Sequence, residues 1–145
     1  AVPSLDWNFR IWAKRYQWEK DGDEWDDQAQ YCKQPYELWK KVLTDEFMKP
    51  YIGETSEVLE IGPGHGRWLE YYVDKAQKID LVDLSPACID YCQQKFANYS
   101  HIKYFSNNGQ SLSFISDQSI DFIWSYDVFV HIEIEQIHKY LLSVA

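Results

Sequence analysis

Residues 58–66 read Val-Leu-Glu-Ile-Gly-Pro-Gly-His-Gly, and this stretch decides the fold. We predict a parallel strand that ends near Ile61, then a tight turn, then a helix that begins at about Arg67. Glycine suits the turn because residues with a Cβ rarely adopt positive φ, and because a ligand can approach bare backbone. Such a loop at the carboxyl end of a strand is the usual place for a nucleotide-like cofactor in a doubly wound sheet. The turn contains three glycines at alternate positions, Gly62, Gly64 and Gly66.

The spacing of these glycines distinguishes two kinds of cofactor. A dinucleotide-binding fingerprint, G-x-G-x-x-G, would need its third glycine at position 67, which holds Arg67. The loop instead resembles motif I of the class I S-adenosylmethionine-dependent methyltransferases, E/D-x-G-x-G-x-G, with Glu60 as the acidic residue. The resemblance implies S-adenosylmethionine as the cofactor, with Glu60 helping to hold its ammonium group, often through water. The glycine backbone would approach the methionine part, and His65 is a further contact candidate. A plain Gly-rich turn is the alternative.

From Ser56 onward the chain alternates between strand and helix patterns. We predict strands at residues 57–61, 79–83, 102–106 and 120–126. We predict helices at residues 67–76, 85–98 and 133–145. The second of these helices would have Ser85 as its N-cap and Pro86 at its first position. This order implies an α/β fold, a Rossmann-like, doubly wound and mostly parallel sheet with helices on both faces.

An aromatic-rich helical segment precedes this core. Apolar residues at helical spacing predict a helix at residues 5–18, and acidic residues and glycines predict a solvated loop at 19–27. A second helix would have Pro35 in its first turn, and Pro50 and Gly53 would end it. The stripe of the first helix is Leu5, Phe9, Trp12 and Tyr16. The predicted buried stripe of the second is Leu38, Trp39, Val42, Leu43 and Phe47.

Five of the seven tryptophans lie in the first 39 residues. In the methyltransferases that the loop resembles, helices before motif I often fold over the cofactor and wall the substrate site. The resemblance therefore implies an N-terminal cap or lid at residues 1–53 and a cofactor-binding core at residues 54–145. Its aromatic rings would stack on an apolar or sugar-like substrate, and a stripe packed on the sheet or a dimer contact is the alternative. The five tryptophans are Trp7, Trp12, Trp18, Trp25 and Trp39.

Polar residues follow the second and third predicted strands. Asp83 ends the second strand, about twenty residues beyond the glycine loop, where a carboxylate can accept hydrogen bonds from ribose hydroxyls. The alternative is that Asp83 only caps the next helix. After the third strand, Asn108 takes the place where the family often has an Asp that accepts from the adenine amino group. Backbone N–H groups near Gly109 could donate to the adenine ring, and a simple Asn-Gly turn is the alternative. Leu84, next to the carboxylate, completes this part of the predicted cofactor site.

The fourth predicted strand ends in Ser125-Tyr126-Asp127-Val128 and faces the same cleft. Methyltransferases of exocyclic base amines usually carry Asn/Asp-Pro-Pro-Tyr/Phe here, so the mismatch argues against methylation of adenine or cytosine in nucleic acid. We predict that Ser125 and Tyr126 contact the cofactor. His131 is the candidate general base, because imidazole titrates near neutral pH. A hydrogen-bonded structural histidine is the alternative.

Composition and charge limit the classes of partner that this chain is expected to bind. A chain of 145 residues can form one domain with a real core, and its formal net charge of −9 disfavours nucleic acid and favours a small molecule or a basic partner. The three cysteines, Cys32, Cys88 and Cys92, have no repeated spacing and do not pair with the histidines as zinc ligands, so we predict neither a disulfide nor a metal site. No apolar run approaches the ~20 residues that span a bilayer, and we expect a cytoplasmic protein without membrane contact.

The resemblance implies in-line transfer of a methyl group from a sulfonium to a small-molecule acceptor, a hydroxyl or an amine. The family sheet normally has seven strands, whereas this chain stops after the helix that follows the fourth predicted strand. We therefore expect a fragment, or an edge covered by another subunit, with weak cofactor binding or self-association through that edge. Two other functions stay open: a non-catalytic binding or assembly module, and an NAD-dependent oxidoreductase, which the missing third glycine disfavours.

Overall fold

A parallel sheet forms the centre of the molecule, in a computed structural model that describes residues 3–18, 29 and 31–144. Its strands are β1 (Glu57–Ile61), β2 (Lys78–Asp83), β3 (Ile102–Ser106) and β4 (Phe122–Trp124). The described residues form one four-stranded sheet in the order β3-β2-β1-β4, and every neighbouring pair is parallel. The order reverses between β1 and β4, and ligands of such sheets bind outside the carboxyl ends of the strands at that point.

Helices lie on both faces of the sheet, which confirms the predicted Rossmann-like class. On one face, Cys92 belongs to the same buried cluster as Ile79 of β2. On the other face, Tyr140 packs in a second cluster with Val82 of β2. Because helices cover both faces, β1 and β2 are buried along almost their whole length, including Glu60 and Asp80. The helices are α1 (Leu5–Arg10), α2 (Tyr36–Phe47), α3 (Pro86–Lys95) and α4 (Ile134–Val144).

Helix α3 begins as the sequence predicts. The Oγ of Ser85 accepts a hydrogen bond from the Cys88 N–H at 3.3 Å, and Pro86 occupies the first turn. Cys88 and Cys92 are fully buried on one face with Phe96, so they are small core residues, and all three cysteines are free thiols. The helix ends at Lys95, before the predicted end near residue 98.

The segment after β1 differs from the predicted helix at residues 67–76. It forms a series of turns around a short 3-10 helix, Leu69–Tyr71. The Tyr71 N–H bonds to the carbonyl of Trp68, three residues back, instead of four as in an α-helix. The segment is rich in aromatic residues of low helix propensity, and Tyr72 is buried, so packing against the sheet decides the backbone here.

Helix α2 buries a different face from the predicted one, and Pro35 is its N-cap residue and lies outside the first turn. Trp39 stacks on Tyr36 at 5.6 Å and packs against Trp68 at 5.8 Å, so this aromatic cluster sets the rotation of the helix. Apolar periodicity could not anticipate that rotation, because Trp68 comes from a distant segment. The buried residues of α2 are Trp39, Lys40 and Thr44. The predicted stripe residues Leu38, Val42 and Phe47 are exposed.

The N-terminal segment is helical, as predicted, but its regularity is lower. Helix α1 continues into a π-helical turn, Ile11–Arg15, and the residue that α1 buries is polar, Asn8. The predicted loop at 19–27 and Trp25 lie outside the described residues. Within the described part of the chain, no helix is long and apolar enough to cross a membrane. The fourth strand is shorter than predicted, since the flanking residues of 120–126 leave the ladder with β1.

Candidate functional site

A cavity of about 120 Å³ lies at the carboxyl ends of β1 and β2, beside the segment that follows β4. This is the place where the strand order reverses, so the topology and the cavity agree. The N-terminal segment forms part of its wall through Leu5, Asn8, Trp12 and Trp18. Seven of the predicted site residues line this cavity: Gly62, Gly64, Asp83, Leu84, Gly109, Tyr126 and His131.

The glycine loop has the backbone that its sequence requires. Gly62, Gly64 and Gly66 have φ values of 72°, 56° and 77°, a region that residues with a Cβ rarely adopt. A Cβ at Gly62 would lie 2.4 Å from a methyl group of Val128, and one at Gly64 would lie 2.6 Å from the ring of Trp18. Close approach from neighbouring side chains therefore adds to the conformational need for glycine.

Asp83 connects the glycine loop to the start of α3. Its Oδ2 accepts a hydrogen bond from the Gly64 N–H at 3.2 Å, and its Oδ1 accepts one from the Ser85 N–H at 2.8 Å. Burial raises the pKa of Asp83 to about 6, and the backbone hydrogen bonds oppose that rise. The carboxylate thus caps the turn before α3, as the alternative in the sequence analysis proposed, and also lines the cavity.

Glu60 lies behind the cavity, outside its lining. It is fully buried in β1, and its carboxylate accepts a hydrogen bond from the hydroxyl of Tyr72. Burial raises the pKa of Glu60 to about 7, while the hydrogen bond from Tyr72 and the charge of Arg67 oppose the rise. In this arrangement, Glu60 links the strand to the segment that replaces the predicted helix.

Four other predicted site residues also lie outside the cavity lining. The ring of His65 stacks between Trp18, at 4.8 Å, and Tyr91, at 3.7 Å, and burial lowers its pKa. Gly66 faces Phe96 of the core, with 2.6 Å between a built Cβ and that ring. Asn108 is exposed and accepts from the Gln110 N–H, and the Ser125 hydroxyl donates to the Ile61 carbonyl at 3.0 Å.

In the loop after β3, Asn107 and Gly109 turn toward the interior of the protein. The sequence predicts Asn108, the next residue after Asn107, as the inward asparagine that contacts the adenine. The Oδ1 of Asn107 accepts from the Gly109 N–H at 2.9 Å, and its Nδ2 donates to the hydroxyl of Tyr140 at 2.9 Å. Gly109 lies in the cavity wall, directly against Leu5 of α1. The spacing alone could not identify which asparagine turns inward, because that depends on the contact with α4.

His131 and Tyr126 occupy the cavity wall beyond β4, as predicted. The imidazole of His131 lies 5.1 Å from the ring of Trp12, and its Nε2 is buried with no hydrogen-bond partner among the described residues. An imidazole nitrogen in a cavity wall can accept a proton from a bound group or donate one to it.

Among the lining residues that sequence reasoning did not select are Asn8, Arg67 and Asp127. Arg67 is buried, and its guanidinium lies 4.5 Å from the ring centre of Trp68. Asp127 has a φ of 58°, a strained conformation of the kind that clusters at functional sites. A charged residue directly after the glycine loop was the available signal for Arg67, but the predicted surface helix obscured it. Asn8 had no signal beyond its position in an aromatic stripe.

The described residues contain no cluster of three or more His, Cys, Asp or Glu side chains that could hold a metal ion. The described part of the cavity wall contains three charged side chains, Asp83, Asp127 and Arg67. Its other lining residues are mainly apolar or aromatic. Such a wall can bind an organic molecule, with a few polar groups that set its orientation.

Comparison with known families agrees with this geometry. Residues 58–145, more than half of the chain, match a family model described as a methyltransferase domain. No curated protein matches the sequence.

Solved structures share the fold. A SAM dependent methyltransferase from Aquifex aeolicus superposes with a TM-score of 0.61 at 19% identity, over 82% of this chain and 66% of that one. Phosphoethanolamine N-methyltransferase 1 from Haemonchus contortus, in complex with phosphoethanolamine and S-adenosylhomocysteine, gives 0.56 at 14%, over 74% and 28%. PKMT2 from Rickettsia typhi, in complex with AdoHcy, gives 0.52 at 25%, over 61% and 18%. The chain thus spans between 18% and 66% of the length of these three proteins.

Proposed function

This chain belongs to the methyltransferase domain family, and from that premise we propose that it transfers a methyl group from S-adenosylmethionine to a small-molecule acceptor. The observation that carries the proposal is the cavity in which bare glycine backbone and the carboxylate of Asp83 lie side by side. S-adenosylmethionine would supply an electrophilic methyl group on a sulfonium. The chain would align the acceptor with it and exclude water.

The residues of the cavity suit the parts of such a cofactor. Asp83 would accept from the ribose hydroxyls, and hydrogen bonds to a charged acceptor contribute roughly 1.5–3 kcal/mol each. Gly62 and Gly64 would allow the backbone to approach the methionine part, and Leu84 and Gly109 would flank the adenine. Tyr126 would contact the cofactor from the β4 side. We do not assign direct contacts to Glu60, His65, Gly66, Asn108 and Ser125, because they lie outside the lining.

The acceptor would enter on the side of the cavity that holds Trp12 and His131. For a hydroxyl acceptor, the imidazole of His131 would take the proton, whereas an amine would only need to be held neutral. The N-terminal segment, residues 1–53, would act as a cap or lid over the core of residues 54–145. Support for this comes from Leu5 and Trp18, which lie directly against Gly109 and Gly64.

The net charge of −9 supports a small molecule over nucleic acid as the substrate. We further propose that the chain can self-associate, because β4 has a ladder partner on one side only and leaves its other edge unpaired among the described strands.

Calorimetric titration with S-adenosylhomocysteine tests the cofactor. We expect micromolar binding by the chain and at least a tenfold loss in Asp83→Ala, which removes the acceptor for the ribose hydroxyls. The matched control is Asp90→Ala, an exposed aspartate of α3, which should bind as the unmodified chain does. Binding of NAD in place of S-adenosylhomocysteine would support an oxidoreductase and contradict the proposal.

Two outcomes would contradict the proposed methyl transfer. No binding of either ligand would contradict a cofactor site in this chain. Binding of S-adenosylhomocysteine without any transfer of isotope from methyl-labelled S-adenosylmethionine to a metabolite pool would favour the second candidate, a non-catalytic module that keeps the intact glycine loop and Asp83.

A further inference from the structure

Asn8 is a buried polar side chain that the proposed chemistry does not use. It is 2% exposed on α1, in a segment whose other inward residues are aromatic or apolar. Its Nδ2 donates to the backbone carbonyl of His131, and its Oδ1 accepts from the indole N–H of Trp12 at 3.1 Å. A longer contact of 3.5 Å joins Nδ2 to the Pro3 carbonyl of the same segment. A buried amide is costly unless its hydrogen bonds are made, so this position demands a donor and acceptors at once.

Trp12 and His131, the two partners of Asn8 that line the cavity, are neighbours in its wall. The rings of Trp12 and His131 lie 5.1 Å apart, and both residues and Asn8 itself line the cavity. One amide therefore connects the N-terminal segment, an aromatic ring of the wall and the backbone of the segment after β4. The joined parts are far apart in the sequence, since 123 positions separate Asn8 from His131.

The contacts at either side of Asn8 cover the bare backbone of the site. A Cβ on Gly109 would lie 2.4 Å from Cδ1 of Leu5, and a Cβ on Gly64 would lie 2.6 Å from the ring of Trp18. Leu5 and Trp18 therefore cover one side of these glycines, which also line the cavity. Apolar contacts alone give little directional control over how such a cover packs.

We propose that Asn8 is a positioning residue: it locks the N-terminal segment in one register over the cavity and holds Trp12 against His131. This inference rests on the proposed cofactor site, because closure matters to function only if a ligand is retained beneath the segment. The hydrogen bond to the His131 carbonyl fixes where the segment closes, and the bond from Trp12 fixes the orientation of the ring that walls the acceptor side.

Two variants separate the two hydrogen bonds. Asn8→Asp keeps the shape and the acceptor for Trp12 but removes the donor to the His131 carbonyl, and with it the longer contact to the Pro3 carbonyl. Trp12→Phe keeps an aromatic ring but removes the indole donor. Asn98→Asp, an exposed asparagine beyond the end of α3, is the matched control for the added charge.

The first measurement needs no ligand. Amide hydrogen exchange of the full chain should accelerate about tenfold at residues 5–15 in Asn8→Asp, with a smaller acceleration in Trp12→Phe and none in Asn98→Asp. Protection of β1 and β2 should stay unchanged in all three. Unchanged exchange of residues 5–15 in Asn8→Asp would overturn the inference. If Asn8→Asp also exposes the sheet, Trp12→Phe decides in the same way.

The second measurement uses S-adenosylhomocysteine as the probe and follows tryptophan fluorescence in stopped flow. We expect its dissociation rate to rise about tenfold in Asn8→Asp, a readout that a merely structural role with an intact sheet would leave unmoved. An unchanged dissociation rate would overturn the role in retention. If the unmodified chain does not bind the probe, the proposed function fails, while the exchange result still decides whether Asn8 locks the segment.

Discussion

At the scale of single residues, two buried carboxylates on neighbouring strands have raised pKa values for the same reason and face different surroundings. Asp83 faces the cavity and accepts two backbone hydrogen bonds, whereas Glu60 lies behind it and accepts from Tyr72. Burial raises the pKa to about 6 for Asp83 and to about 7 for Glu60. Because both pKa values are raised on folding, both titrations affect stability, and that of Asp83 would also affect binding in the cavity.

The affinity for S-adenosylhomocysteine should depend on pH through Asp83. The ionised carboxylate is the stronger acceptor for ribose hydroxyls, and its pKa is raised to about 6. We expect affinity to be constant above pH 7 and to fall below pH 6, with a limit of about tenfold per pH unit. Calorimetric titrations between pH 5 and pH 8 measure this. Asp83→Asn should bind weakly with a flat profile, and a flat profile in the unmodified chain would contradict the assignment.

Glu60→Gln should alter how stability depends on pH. Since the pKa of Glu60 rises from 4.5 to about 7 on folding, its contribution to stability is full below pH 4.5 and is lost as pH rises through 7. Each difference of one in pKa corresponds to about 1.4 kcal/mol, so the neutral glutamine should gain on the order of 1–3 kcal/mol at pH 8 and little at pH 4.5.

Urea unfolding at the two pH values measures this gain, with exposed Glu54→Gln as the matched control. A loss of stability in Glu60→Gln at pH 8 would show that the charged form is the stabilising one.

At the scale of elements, the glycine loop depends on backbone with positive φ and on the side chains that pack onto it. Gly64 has a φ of 56° and faces the ring of Trp18, whereas Gly53 has no atom within 4 Å of a built Cβ. The loop and the N-terminal segment are therefore one packing unit, although they are predicted as parts of different regions.

Gly64→Ala should both destabilise the chain and abolish binding of S-adenosylhomocysteine. A Cβ at this φ costs roughly 1–2 kcal/mol, and the ring of Trp18 must also move. Denaturant unfolding and calorimetry measure the two effects. Gly53→Ala should stay within about 0.5 kcal/mol of the unmodified chain and bind normally. Equal effects of both substitutions would mean that the loop geometry is not what the site needs.

At the scale of the whole molecule, apolar surface remains uncovered around β4 and α4. Ile123 on the edge strand is partly exposed, and several residues before and within α4 are strongly exposed. Exposed apolar side chains beside an unpaired strand edge favour association between chains. The most exposed of these residues are Val130, Ile134, Leu141 and Leu142.

We therefore expect the 145-residue chain to associate in a concentration-dependent way. Ile123→Lys should weaken that association, because a lysine on an edge strand opposes strand pairing. Val42→Lys, which charges an exposed apolar position on α2, is the control and should have no effect. Sedimentation velocity over a concentration series measures this, and a monodisperse, stable monomer would contradict the prediction.

Much of the core was accessible from the sequence, because its signals are local. The alternation of apolar runs with capped helices predicted the order of β1 to β4, and β3 was predicted with its observed bounds. The N-cap at Ser85 could also be predicted from the sequence. A serine side chain can accept a backbone N–H of the first turn, and the following proline needs no N–H partner. The helix predicted at residues 67–76 failed because its residues respond to partners on the sheet and in α2.

The candidate site was predictable where its residues lie at fixed offsets from strand ends. Gly62, Gly64 and Asp83 line the cavity because the carboxyl ends of adjacent parallel strands meet at one edge. Glu60 is part of the same motif, two positions before Gly62. Its carboxylate nevertheless bonds to Tyr72 and lies outside the cavity lining. Arg67 was missed because a predicted surface helix gave no reason for burial.

The sequence by itself determined the succession of strands and helices along the chain, the left-handed glycine turn and the family, because each depends on local backbone preference and on residues close together in the chain. Only the tertiary structure decided that Asn8 joins Trp12 to His131, that Leu5 and Trp18 cover the glycines, and that α2 exposes Leu38, Val42 and Phe47. The physical reason is range. A hydrogen bond or ring contact across more than a hundred residues leaves no periodic trace in the sequence, since its free energy depends on where the whole fold places the two partners.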